Sequence, residues 1–298
     1  MNVKTAVFFL AMLASPGVQA QAYPDRPVRI LIGYPPGGGT DLVARLIATP
    51  LSERWKQPVV VDNRPGANAI IATEAVVKSK PDGYTLLMAY ATELALNPAT
   101  HKKLPYDPVR DLAPIVQLAS AALVVAVHPG LPAKDVGELI ALAKAKPGEL
   151  SYSSSGNGSV HHFAGELFKQ RNGVDIVHIP YKGSGPAVAD AVSGQVQVTF
   201  ASAASVQRFV QAGRLRSVAV SELTSWYGLL APAGTPPEVI RKVHADVLQV
   251  LSSPEVRKGF GAQELEIANS SPAAFADFIR EEAAKYVRIA RAANIQTE

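Results

Sequence analysis

The sequence predicts an α/β protein built as two lobes. Short apolar segments alternate with amphipathic segments of helical length along most of the 298 residues, which is the pattern of βαβ units around a parallel sheet. The pattern restarts near Leu150, after a helical segment that Pro147 and Gly148 stop. Because no low-complexity linker separates the halves, we expect two lobes that share the chain unevenly rather than two independent domains.

In the first half, apolar runs bounded by glycine and proline predict strands, and longer amphipathic runs predict helices. The predicted strands are Val28–Tyr34, Val59–Val61, the end of PDGYTLLMAY, and AALVVAVHPG. The predicted helices are Asp41–Trp55, Ala69–Lys78 and AKDVGELIALAKAKPGE. Pro50 is expected to kink or divide the first helix. The segment LPYDPVRDLAPIV is expected to be a connection, since prolines punctuate it.

The second half repeats this order. LSYSSSGNGSVHHFAGELFKQ predicts a strand, a loop and a helix, and VDIVHIPYKGSGPAVADAVSGQVQVTF predicts a strand, a loop, a helix and a strand. A helix near Ala204–Ala212 and the strand LRSVAVS follow. SWYGLLAPAGTPPEVIRKVHADVLQVL then predicts a strand, a turn and a long helix, and PAAFADFIREEAAKYVRIARAA predicts a terminal amphipathic helix.

Composition excludes several function classes. Hydrophobic residues make up 48% and charged residues 18% of the chain, as in a globular protein with a substantial core. The net charge is +4, and the cations are scattered without interleaved aromatics, so no nucleic-acid partner is expected. With no cysteine, thiol catalysis, thiolate metal sites and a lipid anchor on cysteine are excluded.

Residues 1–22 have the order of a secretory signal peptide. Lys4 precedes the apolar run Ala6–Ala14, a Ser-Pro-Gly break follows, and small residues precede possible cleavage points after Ala20 or Ala22. The apolar run is too short to span a bilayer. We therefore expect an exported protein in the periplasm.

Three loops share one arrangement of strand, small residues and helix start: Pro35–Thr40, Ser153–Ser159 and Lys182–Pro186. Backbone N–H groups at a helix N-terminus attract anions, and glycine allows close approach. Each loop alone could be a simple tight turn. Three of them, from both halves, favour a cleft that holds an anion without a dedicated lysine.

The energies are compatible with this interpretation. Micromolar binding requires about −8 kcal/mol, and a hydrogen bond to a charged group contributes about 1.5–3 kcal/mol. Three to five backbone or hydroxyl donors on one carboxylate therefore suffice, after the cost of immobilising the ligand.

Other chemistries fit the motifs less well. The Gly-Lys-Ser/Thr of a P-loop, the G-x-G-x-x-G fingerprint and the G-x-S-x-G elbow are all absent. His161, His162 and Glu166 lack the further ligands of a metal site, so His162 is expected to order its loop and Glu166 to pack or pair. Asp41 is interpreted as a first-turn carboxylate. Lys182 is left open, either as a solvated cation or as a ligand contact.

The motifs at these positions resemble a known family. YPPGGGTDLVARLIATPLSERWKQPVVVDNRPGA, PDGYTLL, LPYDPVRDLAP, PYKGSGPAV and SWYGLLAPAGTP are similar to segments of the extracytoplasmic solute receptors of tripartite tricarboxylate transporters, the TctC/Bug family. The resemblance implies a type II periplasmic-binding-protein fold, two α/β lobes with a ligand cleft between them. It also implies a receptor that is no enzyme, needs no cofactor or metal, and passes a small organic carboxylate to a large and a small membrane subunit; we expect a monomer.

The resemblance also implies lobe boundaries and a ligand site. Lobe 1 is expected to comprise 23–122 with 226–298, and lobe 2 to comprise 123–225. The positions that match the family's ligand loops are Pro36, Gly37, Gly38, Gly39, Thr40, Ala67, Asn68, Ala69, Thr92, Ser155, Gly156, Asn157, Gly158, Ser159, His162, Lys182, Gly183, Ser184 and Ser202.

The chain departs from the family pattern in two places. Asn68, Ala69 and Ala72 replace small or glycine residues in the loop after RPGA. In LRSVAVSELTSWYGLLAP the chain passes directly from one strand to the next, where the resemblance implies a proline-rich loop and a short helix.

Two other functions remain to be weighed. One is an enzyme acting on a small anion on the same two-lobed scaffold, since fold does not fix function. The other is a cytoplasmic effector-sensing domain of a regulator, against which the export signal and the lack of a DNA-binding helix pair argue.

Overall fold

A computed structural model describes residues 23–295, so the predicted signal peptide lies outside the described residues. The strands are β1 (Val28–Ile32), β2 (Val59–Asn63), β3 (Thr85–Tyr90), β4 (Leu112–Val127), β5 (Ser151–Ser154), β6 (Val177–Pro180), β7 (Val198–Ser202), β8 (Arg216–Pro232) and β9 (Glu266–Ile267). The helices are α1 (Gly39–Trp55), α2 (Ile70–Val77), α3 (Asn97–Thr100), α4 (Val136–Ala145), α5 (Val160–Asn172), α6 (Ser184–Ser193), α7 (Ala203–Gln211), α8 (Pro237–Ser252), α9 (Pro254–Ala262) and α10 (Pro272–Ala292). A 3₁₀ turn at Ala67–Ala69 and a π-helical turn at Thr92–Leu96 complete the set.

Among the described residues, all strands belong to one sheet in the order β2-β1-β3-β8-β4-β7-β5-β6, with β9 on β4. The outer strands of each half are parallel to each other, as βαβ connections require. The central pairs β3–β8, β4–β8 and β4–β7 are antiparallel. The predicted α/β class is confirmed, but the sheet is mixed, because its central pairs are antiparallel where the βαβ pattern predicted a parallel sheet.

Strands β4 and β8 are much longer than the sequence suggested. Leu112–Val116, predicted to belong to a connection, begins β4, and the two strands predicted around Ser221–Ser225 are one strand, β8. Pro114 is tolerated because a register shift follows it. Another register shift between β4 and β8 accommodates the residues between the two predicted strands. Ala122 pairs with Thr224, whereas Val124 pairs with Val220, so three residues of β8 lie opposite Leu123.

The register brings the carboxyl ends of the strands in the two halves toward each other. Tyr90, the last residue of β3, pairs with Tyr227, which pairs with Ala119 of β4. Ser202, the last residue of β7, pairs with Leu123 of β4. Since β3 and β7 run in opposite directions along β4, their ends face each other across four residues, about 13 Å of strand.

Helices cover both faces of the sheet. Alternate residues of β1 point to opposite sides, so Ile30 and Ile32 pack with α1, α8 and α9, while Leu31 packs in the cluster that includes α10. Helix α1 continues through Pro50, so of the two expected outcomes, a kink or a division, the division is wrong. Ile47 and Leu51, on either side of Pro50, are both fully buried. In the part of the chain that the structure describes, no helix is long and apolar enough to cross a membrane.

Candidate functional site

Helix α1 begins at the glycine-rich loop, and its first backbone N–H groups have no carbonyl partner within the helix. Gly38 is its N-cap and makes no side-chain capping bond, and the first backbone bond of the helix runs from Leu42 N to Gly38 O at 3.0 Å. The N–H groups of Gly39, Thr40 and Asp41 precede that bond and lie at the positive end of the helix dipole. Pro36 to Gly39 are exposed, so an anion can reach this end of the helix.

The carboxylate of Asp41 holds this loop in place. It accepts hydrogen bonds from Gly37 N at 2.9 Å, Arg45 Nε at 2.9 Å and Asn63 Nδ2 at 3.0 Å, and the residue is 2% exposed. Burial alone raises the pKa of Asp41, but the bonds from Arg45, Gly37 and Asn63 outweigh it and lower the pKa. Asp41 is thus an ionised anchor of the loop, in agreement with its interpretation as a first-turn carboxylate.

The second loop of this half has an unusual backbone. Ala67, Asn68 and Ala69 all have positive φ, at 46°, 51° and 69°, a conformation that costs free energy for residues other than glycine. Asn97 Nδ2 donates to Asn68 O at 2.9 Å and holds the turn. Ala67 and Asn68 are exposed, whereas Ala69 is buried. Asn68 therefore occupies the turn with its side chain accessible to the solvent.

In the second half, the two predicted loops lie against each other. Gly183 N donates to Ser155 O at 3.1 Å, and Ser159 Oγ caps α5 by accepting from His162 N at 3.2 Å. Asn157 and Lys182 are exposed, and Gly156, Gly183 and Ser184 are partly exposed. The structure thus joins Ser155–Ser159 and Lys182–Ser184 into one surface at the ends of β5 and β6.

The side chains of His162 and Glu166 have structural partners. His162 Nδ1 accepts from Gly158 N at 3.2 Å, and its ring stacks on His178 with centroids 4.0 Å apart. Glu166 accepts from Tyr152 at 2.8 Å and pairs with Lys169. Within residues 23–295, no group of three or more His, Cys, Asp or Glu residues could hold a metal ion.

A small cavity lies between the facing strand ends. Its volume is about 40 Å³, and residues of both halves line it, among them Gly39, Ser202, Tyr227 and Gln263. A water molecule needs at least about 10–15 Å³ of such volume, so the cavity admits water but no organic acid of several carbons. Of the predicted ligand residues, Gly39 and Ser202 line this cavity.

A cluster of aromatic rings supports the first glycine loop. The rings of Tyr34 and Tyr90 are 6.0 Å apart, and those of Tyr90 and Tyr227 are 5.1 Å apart. A Cβ on Gly39 would lie 2.6 Å from the Tyr227 hydroxyl oxygen, so the cluster sets how closely the helix start approaches the central strands. Thr92, a predicted ligand residue, is buried.

The sequence reasoning missed Glu93, which lies beneath this cluster. Its side chain is fully buried and accepts hydrogen bonds from Tyr34 Oη at 2.8 Å and Tyr90 N at 2.9 Å. Burial raises its pKa to about 7, although both bonds oppose the change. The available signal was a single acidic residue within the apolar run TELALNP.

Replacing Glu93 with glutamine is expected to stabilise the protein in a pH-dependent manner. The folded protein retains a proton that the unfolded chain releases, so the wild type loses stability as the pH rises from 4.5 to about 7. Glutamine removes this penalty, so its free energy of unfolding at pH 8 should be higher by about 3 kcal/mol. Urea unfolding at pH 4 and pH 8 measures the difference.

At pH 4 the two proteins should differ little. The control is Glu281→Gln, at an exposed glutamate of α10, which should leave the unfolding curves unchanged. An E93Q protein with the same pH dependence of stability as the wild type would contradict this account of Glu93.

Comparison with known proteins gives a consistent result. The family model described as "Tripartite tricarboxylate transporter family receptor" matches residues 43–295. The chain is 34% identical to Protein BugT of Bordetella pertussis, over 94% of this chain and 93% of that protein. The solved structure "R. palustris Rpa4515 with adipate" matches this chain with a TM-score of 0.85 and 32% identity, over 92% of this chain and 99% of its own.

A second solved structure, MatC from Rhodopseudomonas palustris with bound malate, has a TM-score of 0.81 and 25% identity. The match covers 90% of this chain and 99% of the MatC chain. These neighbours share the two-lobed architecture of periplasmic binding proteins, so the type II periplasmic-binding-protein fold expected from the sequence is confirmed.

Proposed function

Because the chain belongs to the receptor family of tripartite tricarboxylate transporters, we propose that it captures a small organic carboxylate in the periplasm. It delivers this ligand to the large and small membrane subunits of such a transporter. In this role it binds as a monomer, needs no cofactor and catalyses no reaction.

The observation that carries the proposal is the convergence of strand ends from both halves. The last residues of β3 and β7 face each other across four residues of β4. Gly39 at the start of α1 and Ser202 at the end of β7 line the same cavity. A carboxylate there would receive charge-assisted hydrogen bonds from backbone dipoles fixed by the fold. We assign Pro36–Thr40, Ala67–Ala69, Thr92, Ser155–Ser159, His162, Lys182–Ser184 and Ser202 to this site.

Ligand capture requires motion of the two lobes. We divide the chain into 23–122 with 226–298 and 123–225, so that both crossings lie on the adjacent strands β4 and β8. The cavity of about 40 Å³ is too small for an organic acid, so we assign this structure to a closed form of the protein. The ligand therefore binds an open form and stabilises closure by contacting both lobes.

The proposal is tested by thermal unfolding with a panel of carboxylates that includes adipate and malate. A ligand at one hundred times its Kd stabilises the folded state by about 2.7 kcal/mol, which raises the Tm by several degrees. The control is the uncharged diamide of adipate, which should give no shift. If no carboxylate raises the Tm at millimolar concentration, and native mass spectrometry finds no retained anion, the proposal fails.

The competing function is an enzyme that acts on the bound anion. Mass spectrometry of each stabilising anion after long incubation with the protein distinguishes the two, because a receptor returns its ligand unchanged. Conversion of the anion would favour the enzyme.

A further inference from the structure

Ser155, in a loop of the second half, is hydrogen-bonded to the buried His161, the neighbour of the predicted ligand residue His162. Ser155 Oγ lies 2.6 Å from His161 Nδ1. Ser155 is partly exposed in the loop after β5, whereas His161 is 5% exposed in the first turn of α5. The bond therefore links an accessible hydroxyl of the proposed site to a ring fixed in the protein interior.

The histidine has one ring nitrogen without a partner. Within residues 23–295, His161 Nε2 is buried and makes no hydrogen bond. Burial lowers the pKa of His161 to about 4, so the ring is neutral at neutral pH and carries one N–H. That N–H is either on Nδ1, where Ser155 Oγ accepts it, or on Nε2, where it has no acceptor.

The two tautomers leave different groups unsatisfied. With the proton on Nε2, a buried N–H donor has no partner, and orphaned buried N–H groups are rare in folded proteins. With the proton on Nδ1, every N–H of the ring is used, and only a lone pair is left unpaired. The Nδ1–H tautomer fits this environment better.

The tautomer decides what the serine hydroxyl can do. If His161 donates to Ser155 Oγ, the hydroxyl hydrogen is not consumed by the histidine and is free to be donated to a ligand. If His161 accepts instead, the hydroxyl hydrogen points to the ring, and the serine presents only lone pairs, which repel a carboxylate.

We propose that His161 is a positioning residue that donates from Nδ1 to Ser155 and so fixes the Ser155 hydroxyl as a donor to the carboxylate ligand. This inference rests on the proposed function and adds a specificity determinant to it. The loop is placed for this role because Ser155 O accepts from Gly183 N at 3.1 Å. Ser155 thus connects its own loop to the loop Lys182–Ser184.

The binding test uses adipate and malate as probes, and the one that the wild type binds more tightly is titrated calorimetrically into each variant. Ser155→Ala should weaken binding about 10- to 100-fold, as expected for a lost hydrogen bond to a charged group. His161→Leu should weaken it about 3- to 10-fold, because the hydroxyl then has to be ordered on binding. The double variant should bind no more weakly than Ser155→Ala alone, since both changes remove one interaction.

The matched control is His161→Asn, whose side-chain amide can reach the position of Nδ1 and retains a donor. It should bind within about twofold of the wild type, which a purely space-filling role for the histidine would not explain. Binding by H161L equal to the wild type, or a loss that adds fully to that of S155A, overturns the proposal.

A second measurement needs no ligand. Correlation of ring protons with ¹⁵N in the labelled wild-type protein, assigned with the H161N variant, shows which nitrogen of His161 is protonated. Protonation at Nδ1 is expected, and protonation at Nε2 overturns the proposal whatever the binding results. If Nδ1 is protonated but neither probe nor any other carboxylate binds, the proposed function fails and Ser155 loses its role, although the tautomer is correct.

Discussion

Replacing Trp226 with alanine is expected to lower the free energy of unfolding by about 3–5 kcal/mol. The indole is fully buried in the middle of β8, where its ring lies edge-on to Phe275 at 5.9 Å and to Phe278 at 5.2 Å. Its N–H donates to Glu282 Oε2 at 3.0 Å. Alanine leaves a cavity between the central strands and α10, and removes one donor from a buried carboxylate. Urea unfolding measures the loss.

Trp226→Phe separates the two contributions. Phenylalanine retains much of the ring packing and loses the N–H, so we expect a smaller loss of about 1–3 kcal/mol. If W226A lowered the free energy of unfolding by less than about 1 kcal/mol, packing of α10 on Trp226 of β8 would not be important for stability.

Gly39→Ala is expected to weaken carboxylate binding about 10- to 100-fold, the effect of disturbing one or more charge-assisted hydrogen bonds. The new Cβ would lie 2.6 Å from the Tyr227 hydroxyl oxygen. The Tyr227 ring is held against Tyr90, so the start of α1 has to move, at a cost of about 1–3 kcal/mol. Calorimetric titration with the tightest carboxylate of the panel measures the effect.

Tyr227→Phe should suppress this defect. Without the hydroxyl, the nearest ring atom to the new Cβ is Cζ at 3.5 Å, an ordinary contact. Added to Y227F, the G39A change should therefore cost less than about threefold in affinity. Gly261→Ala, at a helical glycine with open space around it, is the control and should bind normally. Equal binding by G39A and the wild type, or failure of the suppressor, would contradict this geometry.

Local patterns in the sequence predicted the helix starts and loops of the site well. Glycine and serine at Gly38, Ser159 and Gly183 mark positions where a helix begins, and the structure has N-caps at all three. Such features depend on a few neighbouring residues, because backbone donors, small side chains and helix caps act over one turn.

The long central strands could not be predicted in this way. Pro114 argues against a central strand in any local reading, and it is accommodated only because the ladder with β8 shifts register there. Likewise, Glu222–Thr224, between the two predicted strands, shows no strand pattern, and its inclusion in β8 depends on pairing of β8 with distant β4. Strand length here is set by the partner rather than by the segment itself.

Local sequence patterns could not predict the partners of the buried polar groups either. A glutamate is normally exposed, whereas Glu93 is buried and accepts hydrogen bonds from Tyr34, in the loop after β1, and from Tyr90 at the end of β3. For the adjacent histidines, the sequence could not show that His162 turns to Gly158 and His178 whereas His161 turns to Ser155. These partners meet only in the folded chain.

The most direct test of the central claim is a crystal structure of the protein bound to the carboxylate that stabilises it most. The account predicts carboxylate oxygens about 2.7–3.2 Å from backbone nitrogens at Gly39–Asp41, with the same ligand contacting Ser155–Ser159 or Lys182–Ser184. A ligand bound outside the gap between the strand ends, or held by one lobe alone, would contradict it.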